Sequence, residues 1–193
     1  MDNIELGRRY DGIIERCVAI FEAKTKDYGP TWLFFRDESF VDQLWIKARR
    51  IRTLEENGDD SLVGEGRADE YLGIVNYGII MLMRMQNPEL FPSPGEVVAD
   101  TEAYYKLHLS DMKRAYLDAF ADVKALMERK NHDYGAAWTE MHLHSITDQI
   151  IVKLFRMKNI ISTGGKLLAS EGLDAQISDI INYSIFALLK MSM

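Results

Sequence analysis

The feature that most constrains the fold is an internal duplication. Residues 24–85 and 130–191 align without a gap at a constant offset of 106 positions, and about a third of the aligned positions are identical. Many of the identical residues are charged, amide or aromatic. Packing alone rarely requires the same charged residue at the same position of both copies, so these identities need another explanation. We therefore expect two related halves, and the shared polar positions are the first place to look for a site.

The composition excludes several classes of protein. The net charge of −7 argues against a binder of duplex nucleic acid, which needs a clustered basic surface. No apolar run reaches the ~18 residues that a membrane span requires, so no membrane partner is expected. The single cysteine, Cys17, excludes an internal disulfide, and the first residues lack the pattern of a secretory signal. We therefore expect a cytoplasmic protein.

The apolar residues follow a helical period almost throughout the chain, and proline and glycine are scarce. In the first half the pattern predicts helices at about 10–26, from a cap at Ser39 to Asn57, and at 67–85. In the second half it predicts helices at about 101–131, at 146–162 and from 173 to the end. Three helices bury their apolar faces poorly alone, so the sequence predicts an all-α fold of two three-helix repeats packed as a pseudo-twofold helical bundle. The predicted divisions are a first repeat at 1–86, a linker at 87–100 and a second repeat at 101–193.

Carboxylates group on the predicted third helix of each half. Glu65 and Asp69 are four positions apart, and they share one helical face if the third helix begins early enough. In the second half Glu171 keeps its place, and Asp179 lies one turn beyond the position of Asp69. Carboxylates grouped in this way are the usual ligands of Mg²⁺. The alternative is a solvated acidic first turn that the helix dipole favours, which explains Asp179 badly because isoleucines surround it.

The predicted second helices share an Asp, a Lys and an Arg: Asp42, Lys47 and Arg50, then Asp148, Lys153 and Arg156. Lys and Arg three positions apart can converge on one anion, such as a phosphate group. Asp42 is either a further metal ligand or the ion-pair partner of Arg50. The alternative for the whole set is an ion-paired surface helix.

A K-x-x-D-Y-G-x-x-W segment follows the first helix of each half: Lys24, Asp27, Tyr28 and Trp32, then Lys130, Asp133, Tyr134 and Trp138. Its glycines, Gly29 and Gly135, predict a positive-φ turn that ends the helix. The aromatic residues either stack on a base or wedge the loop into the bundle. Asn76 and Asn182 lie in apolar helices, and a buried amide needs partners, so each is a site residue or an inter-helix hydrogen bond.

These doubled motifs, together with D-Q-x-x-x-K-x-x-R and E-G…N-Y, resemble the nucleotide-modification-associated domain family in its tandem, Bacteroidetes-type form. The resemblance covers about residues 10–191. That family is similar, more distantly, to the MazG-like all-α nucleoside triphosphate pyrophosphohydrolases. The resemblance therefore implies Mg²⁺-dependent attack of water between the α and β phosphates of a nucleotide, with release of pyrophosphate.

The resemblance also implies roles for individual residues. The catalytic, metal-binding carboxylates would be Glu65, Asp69, Glu171 and Asp179, with Asp42 and Asp148 as further metal ligands. The nucleotide would be bound by Lys24, Asp27, Tyr28, Trp32, Lys47, Arg50 and Asn76, and by Lys130, Asp133, Tyr134, Trp138, Lys153, Arg156 and Asn182. The chain departs from the MazG-like pattern, which has E-x-x-E on one helix and E-x-x-D on the next, because its second helices offer only Asp42 or Asp148.

The leading hypothesis is a Mg²⁺-dependent nucleotide-binding protein that hydrolyses a canonical or modified nucleoside triphosphate. One alternative is a nucleotide-binding or sensor module without turnover, and another is a structural interaction protein. The sequence leaves open whether one or both repeats carry a working site. It also leaves open whether the fused pseudo-dimer pairs again as a homodimer.

Overall fold

The protein is helical throughout the part of the chain that can be described. The computed structural model describes residues 3–93, 96, 98–164 and 172–192, in which α-helices and short 3-10 helices occur and no β-strand. The first repeat contains α1 (Asn3–Tyr28), α2 (Asp37–Glu56) and α3 (Arg67–Gln86), and the second contains α4 (Thr101–Tyr134), α5 (Leu143–Ser162) and α6 (Leu173–Met191). None of these described helices is long and apolar enough to cross a membrane. The prediction of an all-α fold with two three-helix repeats is confirmed.

Helices α3 and α6 form the centre of the bundle. Both bury residues on nearly all sides, as expected for helices whose sequence is apolar over most of the circumference. They pack on each other, and each also contacts α1 and α4, while α2 packs on α3 and α5 packs on α6. The central pair approaches closely at Gly78, where a Cβ atom would lie 2.8 Å from Ile181 Cγ1. A side chain at position 78 would therefore push the two repeats apart.

Reciprocal ion pairs between α2 and α5 show the pseudo-twofold relation of the repeats. Asp42 in α2 accepts a hydrogen bond of 2.8 Å from Lys158 in α5. Asp148 in α5 is ion-paired with Arg52 in α2. Because Lys158 and Arg52 are equivalent positions of the duplication, the two ion pairs are one contact made in both directions. Asp42 thus pairs with the other repeat and not with Arg50.

Several helices are longer than the sequence pattern predicts. Helix α1 begins at Asn3 and not near residue 10, because Leu6 is buried and continues the apolar stripe of Tyr10. Helix α4 continues to Tyr134, and α5 begins at Leu143. The division into repeats at 1–86 and 101–193 with a linker between them stays a prediction.

The predicted cap of α2 is wrong. The helix begins at Asp37, two residues before Ser39, and Arg36 precedes it in extended backbone with φ −81° and ψ 166°. Asp37 and Glu38 occupy the first turn, where negative charge interacts favourably with the helix dipole. Ser39 therefore lies in the first turn of α2 and not at its N-cap position.

Candidate functional site

The chain turns sharply at the same place in both repeats, after α1 and after α4. Gly29 has φ +70° and Gly135 has φ +60°, which is the left-handed region that favours glycine. No atom lies within 4 Å of where their Cβ atoms would be, so backbone conformation and not lack of space requires glycine. The predicted positive-φ turns are confirmed. A 3-10 helix after each turn brings Trp32 or Trp138 into the core.

Each turn borders a cleft. The first cleft, of about 540 Å³, is formed by α1, α2 and α3 with the loops between them, and the second cleft, of about 420 Å³, by α4, α6 and the loop after α4. The polar and aromatic residues that line the first cleft include Lys24, Tyr28, Trp32, Lys47, Glu65, Asp69, Glu70, Asn76 and Tyr77. Those that line the second include Lys130, Tyr134, Trp138, Asp179, Asn182 and Tyr183. Five pairs of these residues are equivalent, so the clefts are counterparts under the pseudo-twofold relation.

The two asparagines hydrogen-bond to the opposite repeat at the back of their clefts. Tyr116 donates to Asn76 Oδ1 at 2.5 Å, and Tyr10 donates to Asn182 Oδ1 at 2.8 Å. Each amide nitrogen donates to a backbone carbonyl at 3.2 Å. The sequence left two alternatives for these residues, and both hold: each asparagine lines a cleft and bonds between helices. Each amide still has capacity for one further donor and one further acceptor.

Lys47 and Arg50 converge on one anion, as their spacing predicts, and in the structure that anion is the Glu70 carboxylate. Lys47 Nζ lies 3.2 Å from Glu70 Oε2, and Arg50 is ion-paired with Glu70 Oε1. Only 5 % of the Glu70 side chain is exposed. The duplication did not identify Glu70, because Gln176 replaces it in the second repeat. A usable signal exists, since this position is polar in both copies of an otherwise apolar helix.

Helix α3 begins at Arg67, so Glu65 precedes the helix, Asp69 lies in its first turn, and the two do not share a helical face. Glu65 is ion-paired with Arg50 at 3.1 Å, and 66 % of its side chain is exposed. Asp69 accepts a hydrogen bond of 2.9 Å from the backbone N–H of Gly66, which closes the first turn of the helix. Both residues therefore line the first cleft while they also stabilise an acidic helix N-terminus. Glu171, the counterpart of Glu65, lies outside the described residues.

Asp179 is the buried carboxylate of the second cleft. Its Oδ1 accepts from Lys130 Nζ at 2.5 Å, and its Oδ2 accepts from Lys153 Nζ at 2.6 Å. Burial, followed by the nearby charge of Asp179, raises the pKa of Tyr183 above its ordinary value. The solvated-turn interpretation fails for Asp179, because a carboxylate with two lysine partners is a fixed part of the cleft.

The indole N–H groups of the two tryptophans differ. Trp138 Nε1 donates to Asn131 Oδ1 at 3.3 Å, and its ring stacks on Phe186. Trp32 Nε1 is buried, and among the described residues it has no hydrogen-bond partner, because Thr25 stands at the position equivalent to Asn131. Within the described part of the chain, the first cleft therefore has an indole N–H without an acceptor, whereas the indole N–H of the second cleft has one.

Seven of the described residues expected at the site line neither cleft: Asp27, Asp42, Arg50, Asp133, Asp148, Lys153 and Arg156. Arg50 and Lys153 pair with the cleft carboxylates Glu70 and Asp179. Asp42 and Asp148 form the ion pairs between α2 and α5. Asp27 and Asp133 are exposed, and Asp133 contacts the neighbouring His132 at 3.1 Å. Arg156 is exposed and has no ion-pair partner within the described part of the chain. The duplication therefore marks both cleft residues and residues that hold the repeats together.

The described residues do not form a group of three or more His, Cys, Asp or Glu side chains that could hold a metal ion. The buried carboxylates Glu70 and Asp179 each have two cationic partners of the chain itself. The donor set seen in the described residues therefore does not fit a carboxylate-held Mg²⁺.

Comparison with known proteins supports the duplication and the resemblance. A family model described as nucleotide modification associated domain 1 matches the chain twice, at residues 24–85 and 130–191. These are the two copies of the duplicated block, and together they cover more than half of the chain. No curated protein and no solved structure gave a significant match.

Proposed function

We propose that this protein, which belongs to the nucleotide modification associated domain 1 family, binds a nucleotide in its first cleft. The observation that carries the proposal is a cleft of small-molecule size that combines aromatic walls with a lysine, Lys24, that has no ion-pair partner among the described residues. Its volume of about 540 Å³ is in the range of small-molecule sites. The description of the family associates it with nucleotide modification, which favours a nucleotide over other phosphorylated ligands.

Lys24 supplies positive charge to the first cleft. Its ammonium group is exposed, and no carboxylate of the described residues lies within ion-pair distance of it. Lys47 extends from α2 into the same cleft, although Glu70 partly neutralises it at 3.2 Å. A phosphate group that enters the cleft would accept charge-assisted hydrogen bonds from these ammonium groups.

Tyr28 supplies a surface for the base. It lines the first cleft and is 73 % exposed, so one face of its ring is available for stacking. Stacking on an aromatic side chain contributes about 1–3 kcal/mol per base and tolerates different bases. Trp32 closes the wall of the cleft, and its unpartnered indole N–H offers one donor to a group that reaches it.

Magnesium binding and hydrolysis stay predictions. The MazG-like resemblance implies both, but Asp69 caps α3, and Glu65 and Glu70 are ion-paired with Arg50. Nucleotide binding is therefore the function that the geometry supports best. Pyrophosphate release from a nucleoside triphosphate panel, with Mg²⁺ and with EDTA, tests hydrolysis separately from binding.

A thermal-shift screen of nucleoside mono-, di- and triphosphates, canonical and base-modified, tests the binding proposal with and without Mg²⁺. A ligand at 100 times its Kd stabilises the folded state by about 2.7 kcal/mol, which raises the melting midpoint measurably. The Kd of each nucleotide that stabilises the protein is then measured by calorimetry. If no nucleotide shifts the midpoint in either condition, the proposal is wrong.

Two lysines on α1 provide a matched comparison for that experiment. Lys24 lines the first cleft, whereas Lys26 is equally exposed and does not line it. Lys24→Met should weaken nucleotide binding by about tenfold or more, because a charge-assisted hydrogen bond contributes about 1.5–3 kcal/mol. Lys26→Met should leave the Kd unchanged. Equal effects of the two substitutions would mean that only the net charge of the protein matters.

Self-association into a homodimer and a cytoplasmic location also stay predictions. Ile46 on α2 and Val152 on α5 are equivalent and exposed, so each repeat presents an apolar side chain at the corresponding place. Light scattering after size-exclusion chromatography measures the mass of the particle. A mass of one chain at micromolar concentration would contradict the homodimer.

A further inference from the structure

The two clefts differ most at one position, which is glycine in α3 and aspartate in α6. Asp179 in α6 holds Lys130 and Lys153 at 2.5 and 2.6 Å, one on each carboxylate oxygen. These lysines are the equivalents of Lys24 and Lys47 in the first cleft. Lys130 lines the second cleft, and Lys153 is buried next to Asp179, so an anion that belongs to the protein bridges two lysines at the wall of this cleft.

In the first cleft the same two lysines are present without that bridge. Gly73 occupies the position of Asp179, and Lys47 lies directly over it: a Cβ atom at Gly73 would be 2.7 Å from Lys47 Cε. The carboxylate that partners Lys47 is instead Glu70, which also pairs with Arg50. The buried carboxylate of the first repeat is thus at position 70, whereas that of the second repeat is at position 179, which is equivalent to position 73. As a result, Lys24 has no partner among the described residues.

We propose that Asp179 is an internal substitute for a bound anion, so that the second cleft is a latent anion site which its own carboxylate fills. The corresponding place in the first cleft, between Lys24 and Lys47 and over Gly73, then receives a phosphate group of the ligand. This inference rests on the proposed function, because it assigns the phosphate position of the same cleft. According to this inference, the first repeat binds the ligand, and in the second repeat Asp179 occupies the equivalent anion position.

The substitution is chemically consistent. A carboxylate and a phosphate group both present oxygens that accept charge-assisted hydrogen bonds from two ammonium groups. Lys153 is buried, and a buried lysine requires a partner, so Asp179 also satisfies a need of the fold. Glu70 is the corresponding partner of Lys47, whose side chain is 23 % exposed. What differs between the clefts is the partner of the exposed lysine, which is Asp179 for Lys130 and no described residue for Lys24.

Two substitutions at position 73 separate charge from size. Gly73→Asp recreates the arrangement of the second cleft in the first, and the atoms in its way are the flexible end of Lys47. Gly73→Asn has nearly the same volume and no charge. The probes are inorganic pyrophosphate and the nucleotide that stabilises the protein most, and calorimetry measures their Kd and stoichiometry.

We expect the natural protein to bind one equivalent of pyrophosphate. Gly73→Asp should weaken it by more than about tenfold, whereas Gly73→Asn should weaken it by less than about threefold. An equal loss of pyrophosphate affinity in both variants would overturn the inference, because only the aspartate places a negative charge between the two lysines.

The reverse substitution, Asp179→Gly, tests the second cleft. It should create a second equivalent of pyrophosphate binding, and adding Lys130→Met should remove that equivalent. Because Lys153 loses its buried partner, the variant should also melt at a lower temperature than the natural protein. Addition of pyrophosphate should then raise the melting midpoint of the variant more than that of the natural protein. A folded variant that still binds one equivalent would overturn the inference, and if the variant does not fold, the Gly73 pair decides.

The results also distinguish the inference from the proposed function. Absence of binding of both pyrophosphate and nucleotides by the natural protein would overturn both. Nucleotide binding that depends on Lys24, with equal behaviour of the two Gly73 variants, would leave the proposed function in place and overturn only the role of Asp179. Two equivalents of pyrophosphate bound by the natural protein would also overturn that role.

Discussion

The hydroxyl group of Tyr10 in α1 donates a hydrogen bond of 2.8 Å to Asn182 Oδ1 in α6, and so connects the two repeats inside the core. Tyr116 and Asn76 make the same contact in the opposite direction. Each repeat therefore supplies the tyrosine for the buried asparagine of the other. Because a buried amide without partners is costly, neither repeat alone satisfies its own polar core.

Removal of either tyrosine hydroxyl should destabilise the protein. Tyr10→Phe or Tyr116→Phe leaves a buried amide oxygen without its donor, at a cost of about 1–3 kcal/mol. Urea unfolding followed by circular dichroism measures the change. Tyr105→Phe is the matched control: the Tyr105 ring packs on Trp32, but among the described residues its hydroxyl has no hydrogen bond, so the expected change is within about 0.5 kcal/mol. A loss of similar size in the control would contradict the importance of the Tyr–Asn bonds.

The same tyrosines should make the stability depend on alkaline pH. Burial raises the pKa of Tyr10 and of Tyr116 above the ordinary value of 10.0. Above that pH the unfolded chain loses protons that the folded chain retains. The stabilisation is therefore complete below about pH 10 and decreases above it, by up to ~1.4 kcal/mol per pH unit for each tyrosine.

Urea unfolding between about pH 8 and about pH 11 measures this dependence. The double variant Tyr10→Phe/Tyr116→Phe should lose less stability over that interval than the natural protein, because it lacks both groups. Lysine side chains also titrate in this range, but they are common to both proteins and cancel in the comparison. Parallel curves for the two proteins would contradict the prediction.

Glu70 should be far more important for stability than Glu65, although both contact Arg50. Glu70→Ala removes the buried counter-charge of Lys47 and Arg50, and the loss of hydrogen bonds to a charged group costs about 1.5–3 kcal/mol. Glu65→Ala removes an ion pair whose acidic side chain is 66 % exposed, which costs about 0–1 kcal/mol. Thermal and urea unfolding of the two variants measure the difference. Equal destabilisation would show that burial of the Glu70 pair is unimportant.

Gly29 should resist substitution for a reason of backbone conformation. Gly29→Ala forces alanine to φ near +70°, at a cost of about 1–2 kcal/mol, even though no atom obstructs the new methyl group. Gly12 lies inside α1 with equally open surroundings, and Gly12→Ala should stabilise the protein by about 0.5–1 kcal/mol. Urea unfolding measures both changes. Opposite signs are expected, and a stabilising effect at position 29 would contradict the turn.

Much of the architecture could be predicted because it depends on local pattern. The helical period predicts the six helices, and the repeated glycines predict the turns at Gly29 and Gly135. The spacing of Lys47 and Arg50 predicts that they converge on one anion, and they do. Each of these features depends on residues that are close together in the chain, so the geometry of one helix or one turn decides it.

The duplication determined by itself that the fold has two equivalent halves and that Lys24, Trp32, Asn76 and their counterparts are candidate site residues. It did not determine the partner of any charged residue. Only the tertiary structure decided that Glu70 faces Lys47, that Asp42 pairs with the other repeat, and that Asp179 bridges two lysines. The physical reason is that an ion pair depends on which helices pack side by side, and that packing joins residues far apart in the chain and often in different repeats.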